Sequence, residues 1–169
     1  MRQSQSIAAV IGVSVLLVAA PQVQAEITRT VLTTREAAYE GATFDGVGPY
    51  EWLIGYAEGE LDPGAPRNLG IVNLDRAPRN ARGLVEYRVD LQILKPVDLK
   101  RSNGRLFYDV VNRGNKRSLG TRVDGGPTIN DPRLREELGT GFLLNSGYIL
   151  AWSGWQADVP EGDGRMRAS

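Results

Sequence analysis

Two apolar segments, each of which runs into a glycine-containing turn, constrain the fold of this chain most strongly. The first is RLFYDVVNRGNK at residues 105–116, and the second is GYILAWSGWQ at residues 147–156. A segment with helical spacing lies between them. The order strand, loop, helix, strand is that of a crossover unit, which predicts that the two strands are parallel neighbours. The loop after the first strand would then lie where such sheets place their ligand-facing amides.

The first 25 residues have the pattern of a secretory signal. Arg2 precedes an apolar run at residues 7–20, and Val23 and Ala25 are small residues at the positions that a signal peptidase inspects. The run is shorter than the roughly 20 residues that a membrane-spanning helix needs. We therefore expect residues 1–25 to be a cleaved signal peptide and the protein to be secreted or periplasmic. An uncleaved membrane anchor is the less favoured alternative.

Residues 26–169 suit a single domain with its own core. The whole chain has 20 basic and 20 acidic residues. Removing Arg2 with the signal leaves 19 against 20, a net charge of −1. Such a balance offers no electrostatic footprint for nucleic acid or for an anionic membrane surface. We therefore expect no nucleic-acid partner and no stable membrane insertion after signal cleavage.

The chain contains no cysteine and no histidine. Thiol catalysis and disulfides are excluded, and the commonest general base and transition-metal ligand is missing. Neither a Ser-His-Asp triad nor an ordinary zinc site can be built from these 169 residues alone.

Four segments before residue 100 have strand character. Residues 27–38 are rich in β-branched side chains and are predicted to form an edge strand. Residues 50–61 end at an Asp-Pro-Gly turn, and residues 69–74 are predicted to pair back on them. Residues 84–94 alternate between apolar and polar side chains, which is typical of a half-buried antiparallel strand.

The predicted crossover unit begins at residues 106–111, LFYDVV. These residues are nearly all apolar, which favours a strand covered on both faces, and Asp109 is the one exception. The last strand is predicted at residues 148–152. The predicted fold class is therefore α/β, with antiparallel strands followed by one β-loop-α-β unit.

The helix of that unit is predicted to begin at Asp131 and Pro132, a capping carboxylate followed by a first-turn proline. Leu134, Leu138 and Phe142 fall four residues apart on one helix face. Gly147 is placed to end the helix, although glycines at 139 and 141 weaken the pattern.

Four sequence blocks resemble, in order and spacing, the amino-terminal part of the bacterial alpha/beta hydrolase domain proteins, a largely uncharacterised secreted family. The blocks are LVEYRVDLQILKPVD, GRLFYDVVNRGNK, GTGFLLNSGYILAWSGWQADV and GDGR. The resemblance covers residues 43–167, and members of that family are much longer than this chain. It implies that residues 26–169 are an incomplete, β-rich portion of an α/β-hydrolase-type mixed sheet, with residues 84–94, 106–111 and 148–152 as its second, third and fourth strands.

The resemblance also implies a site. In such sheets the loop after the third strand donates an oxyanion-hole amide, and the nucleophilic serine follows the fifth strand. Arg113, Gly114 and Asn115 are the oxyanion-loop candidates here, since a glycine lets the backbone approach a developing negative charge. The loop differs from the His-Gly-Gly pattern of lipases. A purely structural turn with Arg113 in an ion pair is an equal alternative.

The nucleophile and its base are not found in this sequence. There is no Gly-x-Ser-x-Gly, and the serines at 102, 118, 146 and 153 have no histidine to remove a proton. We expect the chain to be inactive by itself. Asp158, Glu161 and Asp163 could supply oxygen ligands to calcium, but they match no EF-hand loop, and a solvated acidic tail is favoured. No cofactor and no metal is predicted.

Two functions from different classes remain. The first is the amino-terminal portion of a secreted serine hydrolase that acts on a small-molecule ester or similar acyl bond, with its nucleophile and histidine encoded further along. The second is a stand-alone secreted β-rich module that binds a ligand or a partner protein without catalysis. In the second case the glycine-rich loops and Trp52, Trp152 and Trp155 would form the recognition surface.

Overall fold

The structure is a computed structural model that describes residues 26–120, 123–127 and 129–169. The predicted signal peptide at residues 1–25 lies outside these ranges. The strands, in chain order, are β1 (Glu26–Ala37), β2 (Thr43–Phe44), β3 (Gly48–Leu61), β4 (Val85–Pro96), β5 (Leu106–Tyr108) and β6 (Ile149–Ser153). One short α-helix, α1 (Phe142–Asn145), precedes β6. Five 3₁₀ turns lie at Ala38–Gly41, Pro66–Asn68, Leu74–Arg76, Leu99–Arg101 and Arg135–Leu138.

The strands form one mixed sheet in the order β1-β3-β4-β6-β5, and β2 pairs with β3. The β1-β3, β3-β4 and β4-β6 pairs are antiparallel. The β5-β6 pair is parallel, with Leu106 opposite Ile149 and Tyr108 opposite Ala151. The prediction that the two apolar segments are parallel neighbours is therefore confirmed, and so is the edge position of the first strand.

The α/β fold class is wrong for the described residues, which form a mostly stranded mixed sheet with almost no helix. The predicted helix after Asp131 is instead a 3₁₀ turn at Arg135–Leu138 followed by the four-residue α1. Gly139 and Gly141 between them have φ of 65° and 68°, so the backbone leaves the right-handed helical region there. A helix layer covering the sheet is absent from this part of the chain.

Packing explains why the break occurs at Gly139. A Cβ at this position would lie 2.1 Å from the backbone oxygen of Asp124, so the segment at residues 124–126 packs directly against it. Asp124 also accepts hydrogen bonds from the Phe142 amide (2.7 Å) and the Thr140 hydroxyl (3.1 Å) through Oδ1. The spacing of Leu134, Leu138 and Phe142 does not make a buried face, because only Leu138 is buried.

Irregular segments cover one face of the sheet, and the core lies beneath them. This covered face carries Tyr50, Trp52, Leu94, Leu150 and Trp152, which pack against turns and loops from both ends of the chain. The indole rings of Trp52 and Trp152 lie 5.7 Å apart at its centre. The Tyr50 hydroxyl lies 3.0 Å from the carbonyl oxygens of both Leu144 and Tyr148 and so ties β3 to the end of α1.

The opposite face of the sheet, here called the open face, has no layer on it within the described ranges. Residues directly opposite in a sheet point to the same side, so the register assigns its members. Its apolar residues include Leu32, Leu53, Ala57, Val89, Leu91, Ile93, Ile149, Ala151, Leu106 and Tyr108. None of them belongs to the core cluster.

Two further strand predictions need correction. Residues 69–74 form turns and part of a 3₁₀ turn instead of a strand, and Leu69 and Val72 are exposed. Residues 106–111 are not covered on both faces: Leu106, Tyr108 and Val110 are 61%, 50% and 60% exposed, while Asp109 and Val111 are buried. The apolar run therefore marks a sheet edge with one bare face.

Candidate functional site

The carboxyl ends of β5 and β6 lie at the same edge of the sheet because the two strands are parallel. The chain that follows β5 contains the predicted oxyanion-loop residues Arg113, Gly114 and Asn115. The chain that follows β6 contains Trp155 and Gln156. Open sheets bind ligands at such carboxyl edges, so this edge is the candidate site.

Residues 112–115 form a tight turn. The backbone groups of Asn112 and Asn115 exchange two N–H···O hydrogen bonds of 3.0 Å, and the two central residues, Arg113 and Gly114, have φ of 52° and 77°. Two positive φ angles in a row are the pattern of a type I′ turn. A left-handed arginine is strained, and such strain persists only where the surroundings hold it.

Gly114 is required for a second reason, which is close packing. A Cβ at this position would lie 2.7 Å from Val159 Cγ1 and 2.9 Å from the Met166 backbone oxygen. The Met166 amide also donates a 3.0 Å hydrogen bond to the Gly114 carbonyl. The carboxy-terminal segment therefore holds the turn rigidly from one side.

Two of the three candidate amides are already engaged. The Arg113 amide donates to Gln156 Oε1 at 2.8 Å, and the Asn115 amide donates to the Asn112 carbonyl. Across the described residues the Gly114 amide has no acceptor. The turn thus has one amide to offer to a developing anion, and an oxyanion hole needs at least one more donor from elsewhere.

The Arg113 side chain forms the ion pair that the structural alternative predicts. Its Nη1 donates to Asp158 Oδ2 at 2.7 Å, and both side chains are more than half exposed. An exposed pair of this kind contributes at most about 1 kcal/mol. Nearby, the Trp155 indole donates to the Val111 carbonyl at 2.6 Å while more than half of its surface stays exposed. These contacts fasten the β5 loop to the β6 loop.

Asp109 is buried just after β5 and holds the chain that leaves the turn. Its Oδ2 accepts three hydrogen bonds, from the Arg117 amide (2.7 Å), the Ser118 amide (2.8 Å) and the Trp152 indole (2.8 Å). One carboxylate therefore connects β5, β6 and the chain that leaves the turn. The sequence signal for it was a single acid within an apolar run, but the run alone gave no indication of its partners.

Lys116 lies next to the turn and is 3% exposed. Its ammonium lies 5.9 Å from the Trp52 ring centre and 5.7 Å from that of Trp152, and it donates to the Asn130 carbonyl. Burial lowers the pKa of Lys116 from 10.5 to about 8, and the charges of Asp131 and Asp109 only partly oppose this. Sequence reasoning missed this residue, because a lysine in a polar loop has no signal that marks it as buried.

Asn130 clamps the turn from the other side. Its Oδ1 accepts from the Lys116 amide at 3.0 Å, and its Nδ2 donates to Asn115 Oδ1 at 2.9 Å. Asn115 Nδ2 in turn donates to the carbonyl oxygens of Asn112 and Arg113, both at 3.1 Å. The side chains of Asn115 and Asn130 thus stabilise the shape of the turn instead of pointing free donors at a ligand.

The serines have no base beside them in the described structure. Ser153, at the end of β6, lies 2.5 Å from the Tyr108 hydroxyl. Ser118 Oγ is buried without a partner, Ser102 Oγ donates to the Leu99 carbonyl, and no side-chain bond is formed by Ser146. None of these arrangements is that of an activated nucleophile.

The acidic residues of the carboxy-terminal segment are each paired with an arginine: Asp158 with Arg113, Glu161 with Arg167, and Asp163 with Arg165. No cluster of three or more acidic side chains placed to share a metal ion occurs in the described ranges. These three carboxylates therefore serve in ion pairs.

No family model, no curated protein and no solved structure matches this chain. No helix in the described part of the chain is long and apolar enough to cross a membrane.

Proposed function

We propose that this chain is one part of a secreted hydrolase that cleaves an ester or a similar acyl bond in a small molecule. Its nucleophile and histidine lie in polypeptide outside these 169 residues. The chain belongs, on this proposal, with the bacterial alpha/beta hydrolase domain proteins that its sequence resembles. The proposal rests on the strands and the turn of the carboxyl edge and not on the helix layers of that fold class.

One observation carries the proposal: a strained turn at the carboxyl edge of the parallel pair has a single unused backbone amide, that of Gly114. Hydrolases of the resembled kind take one oxyanion donor from the loop after the third strand and the other from the residue after the nucleophile. One amide is therefore what this part of such an enzyme would contribute. The contacts of Asp109, Asn130 and Met166 keep that amide in place.

The chemistry follows from this division. The external histidine takes the proton of the external serine as the serine oxygen bonds to the ester carbonyl carbon. The carbonyl π electrons move to its oxygen, which the Gly114 amide and a second amide stabilise. The C–O bond to the alcohol then breaks, and the alcohol leaves with the proton from the histidine. Water hydrolyses the acyl-serine by the same steps.

The test is to determine the coding sequence beyond Ser169 and to express both the longer product and residues 26–169. We expect the longer product to react with a fluorophosphonate probe and to hydrolyse a nitrophenyl ester. Residues 26–169 should do neither. Alanine at the labelled serine of the longer product is the control for specific labelling. A stop codon directly after Ser169, an unreactive longer product, or hydrolysis by residues 26–169 alone would contradict the proposal.

A second candidate function, a module that binds without catalysis, is favoured by the open face. The exposed apolar side chains of Leu106, Tyr108 and Val110 form a surface that catalysis at the carboxyl edge does not use. Surfaces of this kind mark sites of protein interaction. The two candidates are separable, because the open face and the turn can be altered independently.

A further inference from the structure

Trp155 lies at the carboxyl edge with its indole ring held in place and more than half of its surface exposed. Its indole N–H donates to the Val111 carbonyl at 2.6 Å. Its backbone is held through the preceding residue, because the Gly154 amide donates to the Asp90 carbonyl at 2.9 Å and a Cβ at Gly154 would lie 2.2 Å from the Arg167 backbone oxygen. A ring held in this way loses little side-chain entropy when a ligand covers its face.

An exposed ion pair is attached to the same part of the chain. The Arg113 amide donates to Gln156 Oε1 at 2.8 Å, so Arg113 is fastened to the residue that follows Trp155. The Arg113 side chain then pairs with Asp158, three residues after Trp155. Arg113 Nε and Asp158 Oδ1 have no partner among the described residues. One donor and one acceptor are therefore available beside the exposed aromatic face.

We propose that Trp155 and the Arg113–Asp158 pair bind one sugar ring of an uncharged carbohydrate. The binding itself requires neither the nucleophile nor the histidine. The inference rests on the proposed function in one respect only: the ester that the complete enzyme cleaves at the carboxyl edge is then carried by an acylated carbohydrate.

The two parts of a sugar ring match the two parts of this subsite. The C–H bonds on the face of a pyranose ring are weakly positive and pack against the negative face of an indole ring. Each hydroxyl at the rim of the sugar can both donate and accept a hydrogen bond. A carboxylate accepts from one hydroxyl while a guanidinium donates to another. A purely aromatic ligand would cover the polar groups without pairing them, which is unfavourable.

The subsite lies next to the turn that has the unused amide. Gly114 follows Arg113 directly, and the carbonyl that the Trp155 indole holds belongs to Val111, three residues before Gly114. An acyl group on a hydroxyl of the bound ring would therefore extend toward the Gly114 amide. The sugar supplies binding energy away from the reacting bond, and the acyl carbonyl lies at the amide.

Binding is tested by an NMR titration of ¹⁵N-labelled residues 26–169 with xylotriose. The chain has three tryptophans, and the other two, Trp52 and Trp152, are buried. We expect the indole N–H signal of Trp155 to shift and to saturate, while those of Trp52 and Trp152 stay in place. Benzyl alcohol is the matched probe, a neutral aromatic alcohol without a pyranose ring, and should bind at least about tenfold more weakly.

Three variants locate the contact, with the backbone amide of Gln156 as the common signal. Trp155→Leu should weaken xylotriose binding at least about tenfold, because the aromatic face is lost. Asp158→Ala should weaken it about fivefold through the loss of a hydrogen-bond acceptor. Phe142→Leu is the matched control: Phe142 is also 56% exposed, but it lies at the start of α1, before the amino end of β6, and its replacement should leave binding unchanged.

Each of the following results would overturn the sugar subsite. The Trp155 signal does not move with xylotriose, or benzyl alcohol binds as tightly. Trp155→Leu or Asp158→Ala binds xylotriose like the unaltered chain, while unchanged Trp52 and Trp152 signals show that the fold is intact. Phe142→Leu weakens binding as much as Trp155→Leu does.

The substrate class is tested separately on the longer product. It should hydrolyse acetylated xylotriose with a higher kcat/KM than glycerol monoacetate, which carries the same acetyl ester without a ring, and Trp155→Leu should remove that preference. Equal kcat/KM values for the two esters would overturn the carbohydrate assignment. A longer product that hydrolyses neither ester would contradict the proposed function, while xylotriose binding by residues 26–169 would still establish the subsite.

Discussion

Replacing the buried Lys116 by methionine should change how stability depends on pH. The pKa of Lys116 is lowered from 10.5 to about 8, so between these values the unfolded chain binds a proton that the folded chain has released. Stability rises with pH wherever the unfolded state binds more protons. The contribution of Lys116 to the free energy of unfolding should therefore increase as the pH is raised from 8.

The size of the increase follows from the two pKa values. A difference of one bound proton between the unfolded and folded states changes the free energy of unfolding by about 1.4 kcal/mol per pH unit. Because the folded state is still partly protonated near pH 8, the free energy of unfolding should rise by about 1.5 kcal/mol between pH 8 and 9.5. Tyr39 and Tyr50 act in the opposite direction, because burial raises the pKa of both hydroxyls and only the unfolded chain ionises them from about pH 10. Each subtracts about 0.2 kcal/mol by pH 9.5, so the rise should survive until that pH and reverse above it.

The assay is urea unfolding of residues 26–169 at half-unit steps from pH 7.5 to 9.5, followed by the fluorescence of the buried Trp52 and Trp152. Lys116→Met keeps most of the length of the side chain and removes the titrating group. Its unfolding free energy should show no rise over the same range and should fall by about 0.4 kcal/mol by pH 9.5, because only the contributions of Tyr39 and Tyr50 remain. Lys100→Met, at an exposed position in the turn Leu99–Arg101, is the matched control and should keep the wild-type slope. A wild-type stability that falls between pH 8 and 9.5, or an equal rise in Lys116→Met, would refute this account of the lysine.

Three further predictions concern the turn and the open face. Asp109→Ala should lower the unfolding free energy by about 3 to 5 kcal/mol, because two backbone amides and an indole lose their acceptor. Asp109→Asn should cost less than half of that, and equal costs of the two variants in urea unfolding would argue against the three hydrogen bonds. Gly114→Ala should lower the unfolding free energy by at least about 2 kcal/mol more than Gly104→Ala, because both glycines have positive φ but only Gly114 has neighbours within 3 Å of the added Cβ. Similar melting temperatures of the two variants would contradict this packing. Residues 26–169 should self-associate with rising concentration in sedimentation velocity, and Val110→Asp should suppress it; a monomer at all concentrations would show that the bare face does not drive association.

The sequence was sufficient to predict most of the strands but not the layer that packs on them. Alternation at residues 84–94 and the apolar runs at 106–111 and 148–152 identified strands, and the parallel partnership of the last two is confirmed. The helix after Asp131 was wrong because its apolar spacing was matched by chance, while Gly139 and Gly141 adopt left-handed angles that end any helix. Local backbone preference outweighed hydrophobic periodicity there.

The candidate site shows a similar division. A glycine after a strand predicted a tight turn at Arg113 and Gly114, and the turn is present. The hydrogen bonds that hold the turn and the chain leaving it are accepted by Asp109, Asn130 and Gln156, which are separated from it along the chain or hidden in a polar loop. Such long-range partners depend on tertiary packing, which a single sequence does not encode in any short pattern. The oxyanion role of Arg113, Gly114 and Asn115 stays a prediction.

The Asp109–Trp152 hydrogen bond has a consequence for the order of folding. Its two residues are 43 positions apart, and the parallel pair they connect has only three residue pairs. Bringing β5 and β6 together therefore closes a long loop, which is entropically costly and yields few contacts at first. The β3-β4 hairpin pairs over twelve residues and should form early. We expect refolding to gain hairpin protection first and to quench Trp152 last. In pulsed hydrogen exchange, the β6 amides should therefore become protected after those of β3, and a nascent chain would pass through a stage in which the carboxyl edge of the β5-β6 pair does not yet exist.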